Sequence, residues 1–280
     1  MATGELIVKT SHGDIAVITT TSDGPPVLLI HGNSSCKELW RHQYDSPLGE
    51  QYRMIALDLP GHGASSDATE PERTYTMPAY AEMCWEVMSA LEVERPIVLG
   101  SSLGGHVGLE MIPLSDTPET ALRGLLISGS PPVTNTGFEA IAAGFQLTEA
   151  TGLAGQSELS DDEVTFMAEI AFIPGSPAEP WAWQAVRRTD GRARETMFGH
   201  FGGGKASDQK AIAETSPIPL AVINGADDSF MNNPYIVGLK YRNLWSGEVI
   251  LMPGLHHIPF YEDPAAFNPI LERFLADVSA

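Results

Sequence analysis

Gly100-Ser101-Ser102-Leu103-Gly104 follows directly on the apolar run Pro96-Ile97-Val98-Leu99 and leads into a helix-like run from Gly105 to Ile112. A G-x-S-x-G pattern alone is weak. Between a strand and a helix it marks a sharp turn that lifts the central hydroxyl above a sheet edge, with glycines that let the backbone pass without a side-chain clash. The glycine spacing selects Ser102, not its neighbour Ser101, as the candidate nucleophile.

A hydroxyl is a poor nucleophile at neutral pH. It needs an imidazole to take its proton and a carboxylate to hold that imidazole in the right tautomer. Both follow in the chain order nucleophile, acid, histidine. The strand-like Leu220-Ala221-Val222-Ile223 runs into Asn224-Gly225-Ala226-Asp227-Asp228, and Val249-Ile250-Leu251-Met252 runs into Pro253-Gly254-Leu255-His256-His257. Asp228, three residues after Gly225, is the expected orienting acid, and Asp227 is its competitor, one of the two capping the following turn. His257 is the expected general base and then acid, with His256 as its competitor.

A tetrahedral intermediate carries a negative oxygen, so two backbone N–H donors should be aimed at it. One is expected from Leu103, at a helix N-terminus where the dipole favours negative charge. The other is expected from the loop His31-Gly32-Asn33-Ser34-Ser35, after the buried strand Val27-Leu28-Leu29-Ile30 and before the helix-like Lys37 to Tyr44; Asn33 is the best donor there.

Farther out, strands and helices alternate. Glu5 to Thr10 and Asp14 to Thr20 predict an opening hairpin around Ser11-His12-Gly13, followed by strands at Val27 to Ile30, Arg53 to Asp58, Pro96 to Leu99 and Leu122 to Ile127. Met77, Tyr80, Ala81, Cys84, Val87, Met88 and Leu91 recur at helical spacing, with Thr76 as the expected N-cap and Pro78 in the first turn. This pattern predicts an α/β fold with a doubly wound, mostly parallel sheet and a site at the carboxyl ends of its strands. Asp58-Leu59-Pro60-Gly61-His62-Gly63 marks the turn after one strand, with His62 expected to be structural.

The alternation breaks at Pro131-Pro132 and resumes near Pro217-Ile218-Pro219. The intervening stretch is rich in Phe, Trp and helix formers, among them Phe145, Phe172, Trp181, Phe198 and Phe201. It predicts a helical cap at 133–213 inserted into a core made of 1–132 and 214–280. Ser34, Phe138, Phe166, Met167 and Trp183 are the expected lining of an apolar pocket above Ser102.

Composition bounds the rest. A chain of 280 residues buries one α/β core and carries an insertion. No stretch approaches the roughly 20 apolar residues that cross a bilayer, and no signal segment opens the chain, so a soluble cytoplasmic protein without membrane partners is expected. A net charge of -20 repels nucleic acid phosphates. Cys36 and Cys84 have no metal-like spacing and are expected as free thiols. No metal and no cofactor are expected, since no His-rich ligand cluster appears.

His31-Gly32-Asn33-Ser34-Ser35, Asp58 to Gly63, Ser102-Leu103-Gly104-Gly105-His106 and, inside the cap, Arg188-Thr189-Asp190-Gly191-Arg192-Ala193-Arg194 together resemble the α/β-hydrolase N-acyl-homoserine lactonases of the AidH type. The resemblance runs from about Thr10 to Phe274 and includes Asn243-Leu244-Trp245. His257-Ile258-Pro259-Phe260-Tyr261-Glu262-Asp263-Pro264 is similar to the ending of many α/β-hydrolases, a pattern that puts the catalytic ring on His257. The resemblance implies an α/β-hydrolase fold and a metal-independent enzyme that opens the homoserine lactone ring of small apolar-tailed substrates. The chain departs from the AidH-type pattern in two places. Asp228 stands where that pattern has a glutamate, and Thr165-Phe166-Met167 where it has a tyrosine. A general carboxylesterase, a carbon–carbon bond hydrolase and a ligand-binding receptor are the alternatives on the same fold; epoxide hydrolases and haloalkane dehalogenases place Asp where this chain has Ser102.

Overall fold

The apolar runs become the strands β1 (Thr3–Thr10), β2 (Gly13–Thr20), β3 (Pro26–Ile30), β4 (Arg53–Leu57), β5 (Ile97–Ser101), β6 (Gly124–Ser128), β7 (Leu220–Gly225) and β8 (Ile250–Met252). In the computed structural model, which describes residues 3–115, 121–170 and 177–280, they form one sheet in the order β1-β2-β4-β3-β5-β6-β7-β8. β1 and β2 pair antiparallel as a hairpin and β2 joins β4 antiparallel; every other pair is parallel. Parallel strands must be covered on both faces, which is why β3, β5 and β6 read as unbroken apolar runs and not as alternation. Successive side chains still point to opposite faces. Leu28, Ile30, Val98, Leu125 and Ile127 enter one core, while Val27, Leu29, Ile97, Leu99 and Leu126 enter the other.

Helices Met77–Ala90 and Leu103–Met111 bury the first face, and Phe267, Leu271, Phe274 and Leu275 of helix Pro264–Ser279 bury the second. Helix Met77–Ala90 begins where expected, with the Thr76 hydroxyl accepting from Ala79 N at 3.2 Å and a proline in the first turn. β5 runs two residues past its apolar stretch, because Gly100 and Ser101 keep pairing with Ile127 and Ser128. Among the described residues no helix is long and apolar enough to cross a membrane.

Between β6 and β7 lie helices Phe138–Ala142, Glu149–Leu153, Asp161–Glu169, Pro180–Arg188, Gly191–Gly202 and Gln209–Thr215. Two of them carry a small core of their own, built on Val164, Ala168, Ala182 and Val186. The Arg188 to Arg194 run ties this stretch down. Arg188 reaches Asp67 and the Ser65 carbonyl, Asp190 accepts from the Tyr75 hydroxyl at 2.6 Å, and Arg194 donates to the carbonyls of Gln156 and Ser157. Phe172, one of the expected aromatics, lies outside the described residues.

The turn after β4 is held by a buried charge. The Asp58 carboxylate accepts from Lys37 N at 2.7 Å, Lys37 Nζ at 3.0 Å and Ala64 N at 2.8 Å. Gly63 sits at φ +49, and a Cβ there would fall 2.3 Å from that carboxylate. Asp58 thus brackets the loop after β3 against the loop after β4. Removing the charge from one member of a buried pair leaves the other uncompensated, at a cost of about 3–5 kcal/mol. Asp58→Asn is expected to lower the thermal midpoint by roughly 6–10 °C in calorimetry; an unchanged midpoint contradicts the bracket.

Candidate active site

Ser102 stands between β5 and helix Leu103–Met111 at φ 51, ψ -117, a region that non-glycine residues seldom enter. Its surroundings impose that conformation. Ser102 N donates to the Ser128 carbonyl at 2.8 Å, and the Ser102 carbonyl accepts from Ser130 Oγ at 2.7 Å and from His106 N at 3.2 Å. A Cβ on Gly104 would lie 2.1 Å from the Ile30 carbonyl, and one on Gly100 would lie 2.3 Å from the Gly104 carbonyl. The glycines of the motif are therefore steric necessities, and they bring the ends of β3 and β5 together under the serine.

The loops after β7 and β8 bring together the candidate acid and the candidate base. His257 Nδ1 donates to Asp228 Oδ2 at 2.8 Å, and the other carboxylate oxygen accepts from Phe230 N at 2.8 Å. Both side chains are buried, and the Phe230 ring packs 4.7 Å from the imidazole. Gly129, at φ +63, leaves space for the ring: a Cβ there would meet His257 Cε1 at 2.7 Å. Burial disfavours a charged imidazole, but the charge and hydrogen bond of Asp228 outweigh it and raise the His257 pKa above the ordinary 6.5. The neighbouring candidates are occupied elsewhere. Asp227 is exposed and accepts from Gly254 N at 3.1 Å, and the His256 ring lies 3.1 Å from the Glu262 carboxylate. Glu262 also accepts from the N–H groups of His256 and Ile258, and so steadies the loop on both sides of His257.

Leu103 is the first residue of its helix, where a backbone N–H has no intrahelical acceptor. In the facing loop the Asn33 side chain donates to the Ala154 carbonyl at 2.9 Å, which links the loop to the stretch between β6 and β7. Ser34 sits at φ 54, with its hydroxyl buried and unpartnered. His31 is structural. Its Nδ1 donates to the Gly32 carbonyl at 2.7 Å, its Nε2 accepts from Leu59 N at 2.9 Å, and burial lowers its pKa to about 4. His62 is buried beside it, with Nδ1 on the Pro60 carbonyl.

Two cavities of unequal size meet at Ser102. The larger, about 470 Å³, is lined mostly by apolar side chains, including Ile141, Phe145, Met197, Phe201 and Phe230. The smaller, about 80 Å³, is lined by Ser34, Leu39, Trp181, Val186 and Ile258 among others. Asn33, Ser102, Met167 and His257 border both. Phe138 lines the larger cavity while standing 60% exposed, so it lies at the mouth. Phe166 and Trp183 line neither. Trp183 belongs to the small core on Val164 and Val186 and donates to Thr165 Oγ1 at 3.2 Å. Trp181 packs against the same core, but residues two apart on a helix point about 200° apart, and it is Trp181 that also reaches the small cavity. Sequence reading also passed over His106 and Phe230, which line the larger cavity; the spacing of His106, one turn after Ser102 on the same helix, was the available signal.

Among the described residues, one trio of possible metal ligands, Cys36, Glu38 and Asp58, lies within 4.8 Å. The Lys37 ammonium sits 3.0 Å from Asp58 and 3.3 Å from Glu38 and supplies the positive charge there. Cys36 and Cys84 are free and buried.

A family model described as the alpha/beta hydrolase family matches residues 27–270. The chain belongs to the alpha/beta hydrolase family. Solved structures of the N-acyl homoserine lactonase AidH, one of them a mutant complexed with N-hexanoyl homoserine lactone, match at 40% identity and a TM-score of 0.92, covering 98% of this chain and 98% of that one. The resemblance to AidH-type lactonases therefore extends over nearly the whole length. The esterase RhEst1 from Rhodococcus sp. ECU1013 matches at 25% identity and a TM-score of 0.76, over 99% of this chain and 100% of its own. A pimeloyl-[acyl-carrier protein] methyl ester esterase from Nitrosomonas europaea is 25% identical over 89% of this chain and 95% of its own. These relatives support a hydrolase.

A His257 that acts as general base must be neutral, so in that role kcat/KM should rise with pH through a limb above 6.5, the direction in which Asp228 moves the ring. Asp228→Asn removes the charge and leaves the burial, which should carry the limb below 6.5 and cut kcat by about 10⁴. Asp227→Asn should leave both where they were. A pH–rate profile of the three proteins decides, and equal damage from both substitutions would overturn the choice of Asp228.

Proposed function

We propose that this protein is a serine hydrolase that opens the lactone ring of N-acyl-homoserine lactones. The observation that carries the reading is the position of Ser102 at the junction of a small compartment and a larger apolar one, beside a buried His257–Asp228 pair. A compact head group and an apolar tail on either side of an ester carbonyl match such a divided pocket. The 40% identity to a lactonase solved with such a ligand supports it. Residues 133–213 serve in this reading as the cap on a core of 1–132 and 214–280, although helix Gln209–Thr215 packs on the core through Gln209 and Ala213.

His257 Nε2 takes the Ser102 proton as Oγ attacks the lactone carbonyl, and Asp228 stabilises the imidazolium. The N–H groups of Leu103 and Asn33 receive the oxyanion, each contributing about 3 kcal/mol. Collapse breaks the ring C–O bond, and His257 protonates the departing alkoxide. The acyl-enzyme still carries that alcohol, so a water deprotonated by His257 must attack before the ring closes again. The product is an N-acyl-homoserine carboxylate, with Ser102 regenerated. Consuming a diffusible acyl lactone in this way would silence the signal it carries. The 25% identical esterases favour a second reading, a general carboxylesterase using the same groups on linear esters.

A lactone panel analysed by mass spectrometry should show products heavier than their substrates by one water, without release of fatty acid. Rates should rise with acyl length, by up to ~0.8 kcal/mol per buried CH₂, until the larger cavity is full. Linear esters of equal length that turn over faster than lactones would favour the carboxylesterase. Ser102→Ala should lower kcat by at least about 10⁴ with an unchanged circular dichroism spectrum; retention of a tenth of the rate would reject the nucleophile. Exhaustive dialysis against a chelator should leave the rate as it was, whereas loss restored by zinc would reject this mechanism.

A further inference from the structure

His106 is a buried polar side chain in a mostly apolar compartment, whose other polar lining includes Asn33, Thr148 and Thr151. Its ring lines the larger cavity, packed near Phe145 and Phe201 with centroids 5.9 and 5.1 Å away. A chain of hydrogen bonds behind it dictates which nitrogen carries the proton. Glu110 is buried on the same helix, and its carboxylate accepts from Ser207 N at 3.1 Å and from Gln209 Nε2 at 2.8 Å. A carboxylate only accepts, so Gln209 must turn its NH₂ toward Glu110 and its carbonyl oxygen toward His106. That oxygen lies 2.6 Å from His106 Nδ1, which must therefore donate. Burial lowers the ring's pKa to about 4, so at neutral pH the other nitrogen, Nε2, carries a lone pair. Among the described residues Nε2 has no protein partner, and it lies on the side of the ring away from Gln209.

We propose that His106 is a specificity-determining residue of the acyl compartment, its Nε2 accepting a hydrogen bond from a hydroxyl on the third carbon of the acyl chain. Chains with a 3-hydroxyl are then preferred over plain chains and over 3-oxo chains, which offer only an acceptor. This rests on the lactonase reading. The reach is suitable: His106 follows Ser102 by one helical turn, about 6 Å of rise, and the third carbon of an N-acyl chain stands about as far from the lactone carbonyl. An acceptor facing an acceptor in a mostly apolar compartment leaves both unpaired, which costs more than a missing contact.

The test compares N-octanoyl, N-(3-hydroxyoctanoyl) and N-(3-oxooctanoyl) homoserine lactone on the wild-type protein and on His106→Phe, reading ratios of kcat/KM. The wild type should favour the hydroxylated over the plain chain by roughly three- to tenfold. In His106→Phe the hydroxyl is buried without a partner, and the ratio should fall below one. A purely structural role for His106 would lower all three rates together and leave the ratio unchanged, which would overturn the proposal, as would a wild-type ratio near one. Gln209→Met provides a second route should His106→Phe misfold. Without the amide oxygen nothing holds the proton on Nδ1, so the ring is free to take the tautomer in which Nε2 donates and the preference should move toward the 3-oxo chain; an unmoved preference counts against the proposal. Calorimetric Kd values of the same ligands on Ser102→Ala separate the two levels. If no lactone is opened, the proposed function fails, and the Kd ratio still decides the role of His106; no binding of any of them overturns both.

Discussion

The contact on which the site depends is a backbone one: the Ile30 carbonyl at the end of β3 lies so close to Gly104 that a single Cβ would come within 2.1 Å. This approach draws the start of helix Leu103–Met111 against the loop after β3, and the chain turns the corner only by placing Ser102 at φ 51. Backbone strain of this kind costs on the order of 1–3 kcal/mol and persists where the surroundings over-determine it. Here Ser128, Ser130 and His106 bond to the Ser102 backbone on both sides. The strain is linked to chemistry through geometry, because the same turn that exposes Oγ also leads directly into the Leu103 N–H at the helix start.

Charge placement follows a similar economy. The buried carboxylates near the site each meet donors: Asp228 has His257 and Phe230 N, Asp58 has Lys37 and Ala64 N, and Glu262 has the N–H groups around His257. A carboxylate buried without such partners would protonate and lose its hold on its loop. The remaining acidity is a property of the whole molecule, with a net charge of -20. Under the proposed reaction, a neutral lactone would enter such a field without penalty, and the carboxylate formed on ring opening would be repelled by it, which would favour departure of product over return.

The strand–turn–helix unit, the order of the triad candidates and the N-cap at Thr76 were legible because each depends on residues close together in sequence. Glycine spacing, an apolar run and a capping hydroxyl carry their physical reasons locally. Strand ends were less legible: β5 extends to Ser101 only because β6 continues beside it. The pocket lining was legible in part. Ser34, Phe138 and Met167 border the cavities, but which of Trp181 and Trp183 faces inward depends on how helix Pro180–Arg188 is rotated against Val164 and Ala168. That rotation is a tertiary outcome with no local signature. The tautomer of His106 is likewise set by Gln209, far away in sequence.

The stretch between β6 and β7 does more than roof the pocket. Asn33 belongs to the loop that faces Ser102, yet its side chain is engaged by the Ala154 carbonyl. Asp190 and Arg188 bind the same stretch to Tyr75, Ser65 and Asp67, beyond the turn that Asp58 organises. Asp58 in turn holds Lys37, just after the Asn33 loop. The loop is therefore clamped from the core by a buried ion pair and from above by a hydrogen bond to the roof. A displacement of the roof large enough to admit a bulky ligand must break or drag the Asn33 contact, so access to the pocket and the position of the Asn33 loop are mechanically coupled.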